Sequence, residues 1–342
     1  MSVAELAAAN LLSPAILCFG LGLFAVALRS DLKLPDSIAA FLSIYLMLAI
    51  GLKGGAALSQ QPLSEVAKPV LAAFALGCAI PLWCFALLRR FTQLSLADAA
   101  ALAAHYGSVS AVTFAAATSL LDSQKIAYEG FMPAVLAVME IPAIVIAIGL
   151  AKVAQYARNL QPVGQGSIAM TGGPASMPAG SVSSVLSEVL SSKSIVLLAG
   201  GMIIGALADP QSMAKVKPVF VDLFQGMLCL FLLDLGRITA SHMSDFRSVG
   251  LRLGAFAIAM PLLHGLIGIL VARAIGMSEG GAIIMGTLAA SASYIAAPAA
   301  VRMALPEANP GYYLTCSLAI TFPFNVVAGL PIYVALAQWF YA

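Results

Sequence analysis

Gly107-Ser-Val-Ser-Ala-Val-Thr113 crowds a glycine and the hydroxyls of Ser108, Ser110 and Thr113 into the centre of an uncharged run from Ala99 to Leu121. The run is long enough to cross a bilayer, and a lipid-facing helix gains nothing from hydroxyls there. They must face protein, water or a polar solute. A second stretch, Ala290-Ser-Ala-Ser-Tyr-Ile-Ala-Ala-Pro298, lies inside the uncharged run Gly280 to Val301 and repeats the pattern with Ser291, Ser293 and Tyr294. Where a helix breaks at mid-membrane, the half-helix starting there offers unpaired N–H groups and a partial positive charge, and the half ending there offers carbonyls. Two such breaks make one site with two walls. It suits a small oxyanion, with hydroxyl and carbonyl oxygens left over for Na⁺. The candidate substrate ligands are Gly107, Ser108, Ser110, Thr113, Ser291, Ser293 and Tyr294, and the candidate cation ligands are Ser110, Ser293 and Glu140. No cofactor and no metal other than Na⁺ is expected. A plainer reading, that small residues let two helices cross closely, is compatible with this one.

The elements that must position these residues follow from composition. Of 342 residues, 61% are hydrophobic and 9% charged, against a charged share of about 25% in soluble globules. Mean hydropathy is +0.98, so an all-α, polytopic membrane protein is expected. The net charge of +2 is too small to point to nucleic acid, and no basic block is long enough to act as a membrane anchor. Cys18, Cys78, Cys84, Cys229 and Cys316 lie in apolar runs without metal-ligand spacing and read as buried thiols. The first apolar run follows Glu5 rather than a basic segment and reads as a retained span, not a cleaved signal.

Candidate spans in the first half run from Leu6 to Leu28, Ser37 to Leu52, Pro69 to Leu88 (softly broken at Pro81), the interrupted Ala99 to Leu121, and Phe131 to Val153. After a Gly/Pro/Ser/Met-rich linker come Ser194 to Leu207, Pro218 to Leu235, Leu253 to Ala272, the interrupted Gly280 to Val301, and Tyr312 to Tyr341. The organisation is thus residues 1–157, a flexible linker at 158–182, and residues 183–342. The halves superpose at an offset of about 180 residues: Pro81 on Pro261, Gly107-Ser-Val-Ser110 on Ala290-Ser-Ala-Ser293, and Glu140-Ile-Pro142 on Thr321-Phe-Pro323. Five spans per half make this a five-plus-five inverted repeat of ten transmembrane helices, with helices 4 and 9 broken, the arrangement that marks a transporter's site. Lys and Arg divide 11 to 6 in favour of the linker side, which puts the linker in the cytoplasm and both termini outside.

Other polar residues carry two readings each. Lys53 either snorkels or faces a cavity; Glu140, beside Pro142, serves a cation or proton or is solvated at a helix end. Asp234 and Arg237 read as an intrahelical ion pair, with a ligand role as the alternative. His105 and His264 read as helix-packing histidines, and Asn325 as a partner for backbone freed by Pro323. Ser108 with His105 is the one nucleophile–base candidate for an intramembrane hydrolase, a reading that ignores the second break. No Walker-type phosphate loop occurs, so the chain reads as a secondary transporter and not an enzyme.

Gly51-Leu-Lys-Gly-Gly55, Gly107-Ser-Val-Ser110 through Ser123-Gln-Lys-Ile-Ala-Tyr-Glu129, Glu140-Ile-Pro-Ala143, Ala289-Ala-Ser-Ala-Ser293, and Arg302 with Pro306-Glu-Ala-Asn-Pro310 resemble the sodium-dependent bicarbonate transporter family of cyanobacteria and other bacteria. The resemblance covers nearly the whole chain except the linker. It implies a bacterial inner-membrane permease with ten spans, a homotrimer surrounded by membrane lipid, and bicarbonate held between the breaks of spans 4 and 9. It also implies Na⁺ as coupling ion and a PII-like regulator binding from the cytoplasm. The chain departs from the family pattern where Tyr294 replaces an aspartate, Ala296 and Ala297 replace a serine and a glycine, and Ala111 and Val112 replace a glycine and a serine. Without that fixed charge, Na⁺ dependence is expected to be weak or to appear only with substrate bound. Two alternatives stand beside bicarbonate symport: transport of another small carboxylate with weak or no Na⁺ coupling, and a non-transporting sensor or scaffold of the same fold.

Overall fold

The computed structural model describes residues 3–159, 187, 190–191, 193–242 and 246–342. Residues 160–182 of the expected linker lie outside the described residues; its first two positions, Arg158 and Asn159, belong to a helix instead. Among the described residues the regular structure is helical, with no strand. Among the described residues, seven helical segments are long and apolar enough to cross a membrane, so the chain is a multi-pass membrane protein.

The first half comprises α1 (Val3–Leu11), α2 (Pro14–Ala27), α3 (Asp36–Leu58), α4 (Leu63–Phe91), α5 (Leu96–Gly107), α6 (Ala111–Ser123) and α7 (Met132–Asn159). The second comprises α8 (Lys193–Leu207), α9 (Pro210–Lys217), α10 (Phe224–His242), α11 (Phe246–Ala274), α12 (Glu279–Ala290), α13 (Ala296–Ala304), α14 (Pro310–Leu314) and α15 (Leu330–Tyr341). Short hydroxyl or carboxylate side chains start several of them by accepting an otherwise unpaired N–H. Ser95 accepts from Asp98 at 3.0 Å, and Ser278 accepts from Gly281 at 3.1 Å. Asp209 caps α9 in the same way, with Pro210 at its first position. Gly250, at φ 70°, interrupts α11 near its start, and apolar helix continues from there to Ala274.

Pro81 does not break its span: α4 runs unbroken through Pro69 and Pro81, as α7 does through Pro142. The rings sit in sockets that lack a side chain. A Cβ on Gly107 would lie 2.8 Å from Pro81 Cδ, and one on Gly77 would lie 2.8 Å from Pro142 Cγ. These contacts pack α4, α5 and α7 closely together, and the helices continue through their prolines despite the lost ladder bonds. The last span, expected from Tyr312 to Tyr341, is not one regular α-helix. Between α14 and α15, π-helical turns at Thr315–Thr321 and Asn325–Gly329 flank a short α turn at Phe322–Phe324.

Two helix pairs are welded backbone to backbone. In α2 against α10, a Cβ on Gly22 would collide with the Leu233 carbonyl and one on Gly236 with that of Phe19. In α3 against α8, a Cβ on Gly51 would lie 2.6 Å from the Leu198 carbonyl and 3.0 Å from Gly201 Cα. Without water to squeeze out, such close approach is what holds helices together in lipid. At the centre lies the segment Leu96–Ser123, whose most apolar window is 94% buried, against 33% for Ser64–Phe91. Leu71, Phe74 and Leu82 of α4 instead present an exposed apolar surface suited to lipid.

Gly51→Leu is expected to overpack the α3–α8 crossing by about 1–3 kcal/mol or more and so lower the melting temperature of the detergent-purified protein. Gly200→Ala, on α8 but with open space where its Cβ would go, is expected to leave it unchanged or slightly higher. Equal melting of both variants and the native protein would show that the crossing is not close-packed.

Candidate functional site

α5 stops at Gly107 because Ser108 (φ −88°, ψ 151°) turns extended, and α6 restarts after Ser110 (φ −110°, ψ 114°). The Ser110 hydroxyl accepts the Thr113 N–H at 3.2 Å and caps the new helix. The second interruption is similar, though its serine stands two residues before Ile295, the N-cap of the new helix. α12 stops before Ser291 (φ −78°, ψ 162°), and the Ser293 hydroxyl accepts the Ala297 N–H at 3.2 Å near the start of α13. In both places a serine supplies what the missing helical turn cannot.

The two interruptions are hydrogen-bonded to each other. The Ser110 N–H donates to Ser291 Oγ at 2.9 Å, and that hydroxyl donates to the Leu288 carbonyl at 2.8 Å. In return, the Ser293 N–H is shared between the carbonyls of His105 at 2.8 Å and Ser108 at 3.2 Å. Ser110 and Ser291 stand 181 residues apart, and a third bond, Trp83 Nε1 to His264 Nε2 at 2.8 Å, spans the same 181.

Where the strands of the two interruptions meet there is a cavity of about 10 Å³, lined by Ser110, Ala111, Glu140, Ser293 and Tyr294, with Met47 of α3 opposite. That is room for one water at most. The structure therefore gathers four of the expected ligands, Ser110, Ser293, Tyr294 and Glu140, around one point. The other four do not line this cavity. Gly107 is the socket for Pro81, and Ser291 is the bridge between the interruptions. Thr113 is buried inside α6, its N–H taken by the Ser110 cap, and Ser108 Oγ is buried without a hydrogen-bond partner.

Glu140 projects from α7 with 6% exposure, and among the described residues no ion pair includes it. It shares its cavity with Ala111, the first residue of α6, where the positive end of the helix dipole favours a carboxylate or any other anion. The Tyr294 ring packs edge-on against Phe322 with centroids 5.2 Å apart. Its hydroxyl faces Ser110 without a well-aligned hydrogen bond.

Further residues hold this arrangement in place. Asn325 bonds freed backbone, though not that of its own span: its Nδ2 donates to the carbonyl of Ala290, the last residue of α12, at 2.9 Å. Tyr333 OH in turn donates to Asn325 Oδ1 at 2.8 Å. Tyr106 OH reaches Thr321 Oγ1 at 2.6 Å, tying α5 to a π-helical turn. An asparagine two residues after a proline in an apolar run was the only signal in the sequence for any of this. His105 stacks on Tyr313 with centroids 4.5 Å apart, and its Nδ1 lies 2.7 Å from the Ala101 carbonyl. Its Nε2 and Ser108 Oγ are each without a hydrogen-bond partner, so the two form no nucleophile–base pair. Asp234 and Arg237 form the intrahelical ion pair expected of them, at 3.0 Å.

Residues 14–338 match the family model described as the Na⁺-dependent bicarbonate transporter superfamily. No curated protein matches the chain.

Replacing Asn325 by alanine leaves the Ala290 carbonyl and the Tyr333 hydroxyl unpaired in a dry interior, a cost of about 1–3 kcal/mol. The expected outcome is a clear drop in melting temperature for Asn325→Ala. An unchanged melt would show that another group satisfies the Ala290 carbonyl.

Proposed function

The chain belongs to the Na⁺-dependent bicarbonate transporter superfamily, and on that premise we propose that it is a secondary transporter carrying a small anion, first of all bicarbonate, between its two interrupted helices. The observation that carries the reading is the pair of exchanged bonds, Ser110 N–H to Ser291 Oγ and Ser293 N–H to the His105 and Ser108 carbonyls. In the substrate-bound state the interruptions part. An oxyanion then accepts the N–H groups that now bond across, together with the Ser110 and Ser293 hydroxyls and the positive ends of α6 and α13. The cavity of about 10 Å³ is too small for bicarbonate, which is why this reading requires the interruptions to part.

The proposed topology is ten crossings in an inverted five-plus-five repeat. Seven long spans are joined by three shorter apolar helices, Pro14–Ala27, Ile195–Leu207 and Glu279–Ala290. In the repeat alignment Ser110 matches Ser293 and Ser108 matches Ser291, so the Ser110 N–H bond to Ser291 and the Ser293 N–H bond to Ser108 are counterparts of each other, a reciprocity that supports a pseudo-two-fold axis. α2 pairs with α10 and α3 with α8, so that each of the first two spans packs on the other's repeat counterpart, as the same axis requires. The Lys/Arg excess on the linker side supports a bacterial inner-membrane protein with a cytoplasmic linker and both termini outside. A homotrimer and a PII-like cytoplasmic regulator belong to the same proposal and rest on the family resemblance.

For the coupling ion, the grouping of Ser110, Ser293 and Glu140 around one cavity supports Na⁺ binding in which Glu140 supplies the charge that Tyr294 does not. A neutral phenol offers a lone pair but no fixed charge. Na⁺ dependence is therefore weak, or appears only once the substrate anion is present.

The deciding measurement is flux of labelled bicarbonate and small carboxylates into proteoliposomes, with and without a Na⁺ gradient. Ser110→Ala and Ser293→Ala are each expected to weaken substrate binding by about 1–3 kcal/mol, ~10- to 100-fold in Kd. Tyr294→Asp is expected to strengthen Na⁺ dependence. Absence of flux for every anion would indicate a sensor or scaffold instead, and unchanged affinity in both serine variants would reduce these residues to helix caps.

A further inference from the structure

A second, larger cavity of about 290 Å³ lies between α3, α6 and the start of α10. Its walls continue the helix faces that line the smaller one. On α3 the small cavity takes Met47, and the large one takes Ile50, Lys53 and Ala57; on α6 the small cavity takes Ala111, and the large one takes Phe114, Thr118 and Asp122. These are successive turns of the same stripes.

The body of this cavity is apolar and aromatic, formed by Ile50, Phe114, Phe220 and Phe224, and its polar groups are Lys53, Asp122, Tyr128 and Thr118 near one end, with Gln225. An apolar chamber with a few convergent polar groups is the usual form of a small-molecule site. Lys53 and Asp122 are the charged groups of its lining. Their contact is loose: Lys53 Nζ stands 3.7 Å from Asp122 Oδ2, both side chains are about half exposed at 54% and 49%, and the ammonium's one hydrogen bond is a long 3.4 Å to Tyr128 OH. Such a pair contributes roughly 0–1 kcal/mol and gives way to a better-placed carboxylate. The Tyr128 phenol, pushed up by burial first and by the Asp122 charge second, stays protonated and can donate.

We propose that this cavity is a binding site for an organic monocarboxylate with an apolar body of about benzoate size. The carboxylate sits on Lys53 Nζ and Tyr128 OH in place of Asp122, and the hydrocarbon part lies among Ile50, Phe114, Phe220 and Phe224. Bicarbonate has no apolar part to fill such a chamber, so the site is distinct from the interruptions and does not depend on the transport reading. Its occupant ties α3 to α6 one turn away from Ser110.

Benzoate and benzamide, of equal shape but different charge, are the probes, with binding to the detergent-purified full chain followed calorimetrically. Saturable benzoate binding is expected, about tenfold or more tighter than benzamide, since it adds a charge-assisted contact. Lys53→Gln is expected to lose about tenfold in benzoate affinity, Lys53→Arg to stay within about threefold, and Asp122→Asn to bind more tightly because the competing carboxylate is gone. Thr118→Phe, which fills the chamber, is expected to abolish binding while Lys53 remains. Ser293→Ala is expected to leave benzoate affinity unchanged, so that failure here and failure of the transport reading give different results. The proposal is overturned if benzoate does not bind the native protein, if benzamide binds as well as benzoate, or if Lys53→Gln and native protein bind alike.

Discussion

Two helices interrupted in a dry interior leave backbone N–H and C=O groups that neither water nor lipid can satisfy, and much of this molecule is arranged to answer that need. Each unpaired group would cost several kcal/mol in hydrocarbon. Ser110 and Ser293 cap the half-helices that begin. Ser291 and the carbonyls of His105 and Ser108 take the N–H groups left between, and Asn325 closes the carbonyl end of α12. Because the partners of each interruption come from the other, neither can be assembled alone. This mutual dependence also accounts for the burial of Leu96–Ser123 at the centre of the bundle.

The same economy is what makes the place suited to binding. Each cross-bond runs from an N–H ahead of a beginning half-helix to the closing end of the half-helix in the other interruption, and on the proposed function those N–H groups become donors to a small oxyanion once the interruptions part. Glu140 lies beside the start of α6, where a negative charge is favoured by the dipole. Tyr294, which lines the same cavity, has a neutral hydroxyl, so Glu140 is the one carboxylate of that lining.

Around this centre the helices are held by shape rather than by hydrophobic exclusion. Glycines let α2 meet α10 and α3 meet α8 at backbone distance, and proline rings fill glycine sockets among α4, α5 and α7. Close contact of this sort gives rigid groups of helices. The larger cavity lies where α3, from the glycine-welded pairs, faces α6 of the interrupted span.

How much of this could be read from the chain depends on whether the cause is local. Hydropathy and the scarcity of charge dictate an all-helical membrane protein, because no other architecture without a closed barrel satisfies its backbone in lipid. The clustered small hydroxyl residues at 107–113 and 290–294 likewise mark where helices cannot continue comfortably, and the helices do stop there. Pro81 misled on the same local grounds: a proline removes one bond, but whether the helix continues depends on what packs against the ring, and Gly107, which meets it, belongs to the next helix. Nor does any local pattern say that Ser291 rather than Ser293 receives the Ser110 N–H, that Asn325 serves Ala290 instead of its own span, or that Lys53 and Asp122 meet in the lining of one cavity. Those are matters of which side chains packing brings within about 3 Å, a distance set by the whole bundle and by no single stretch of it.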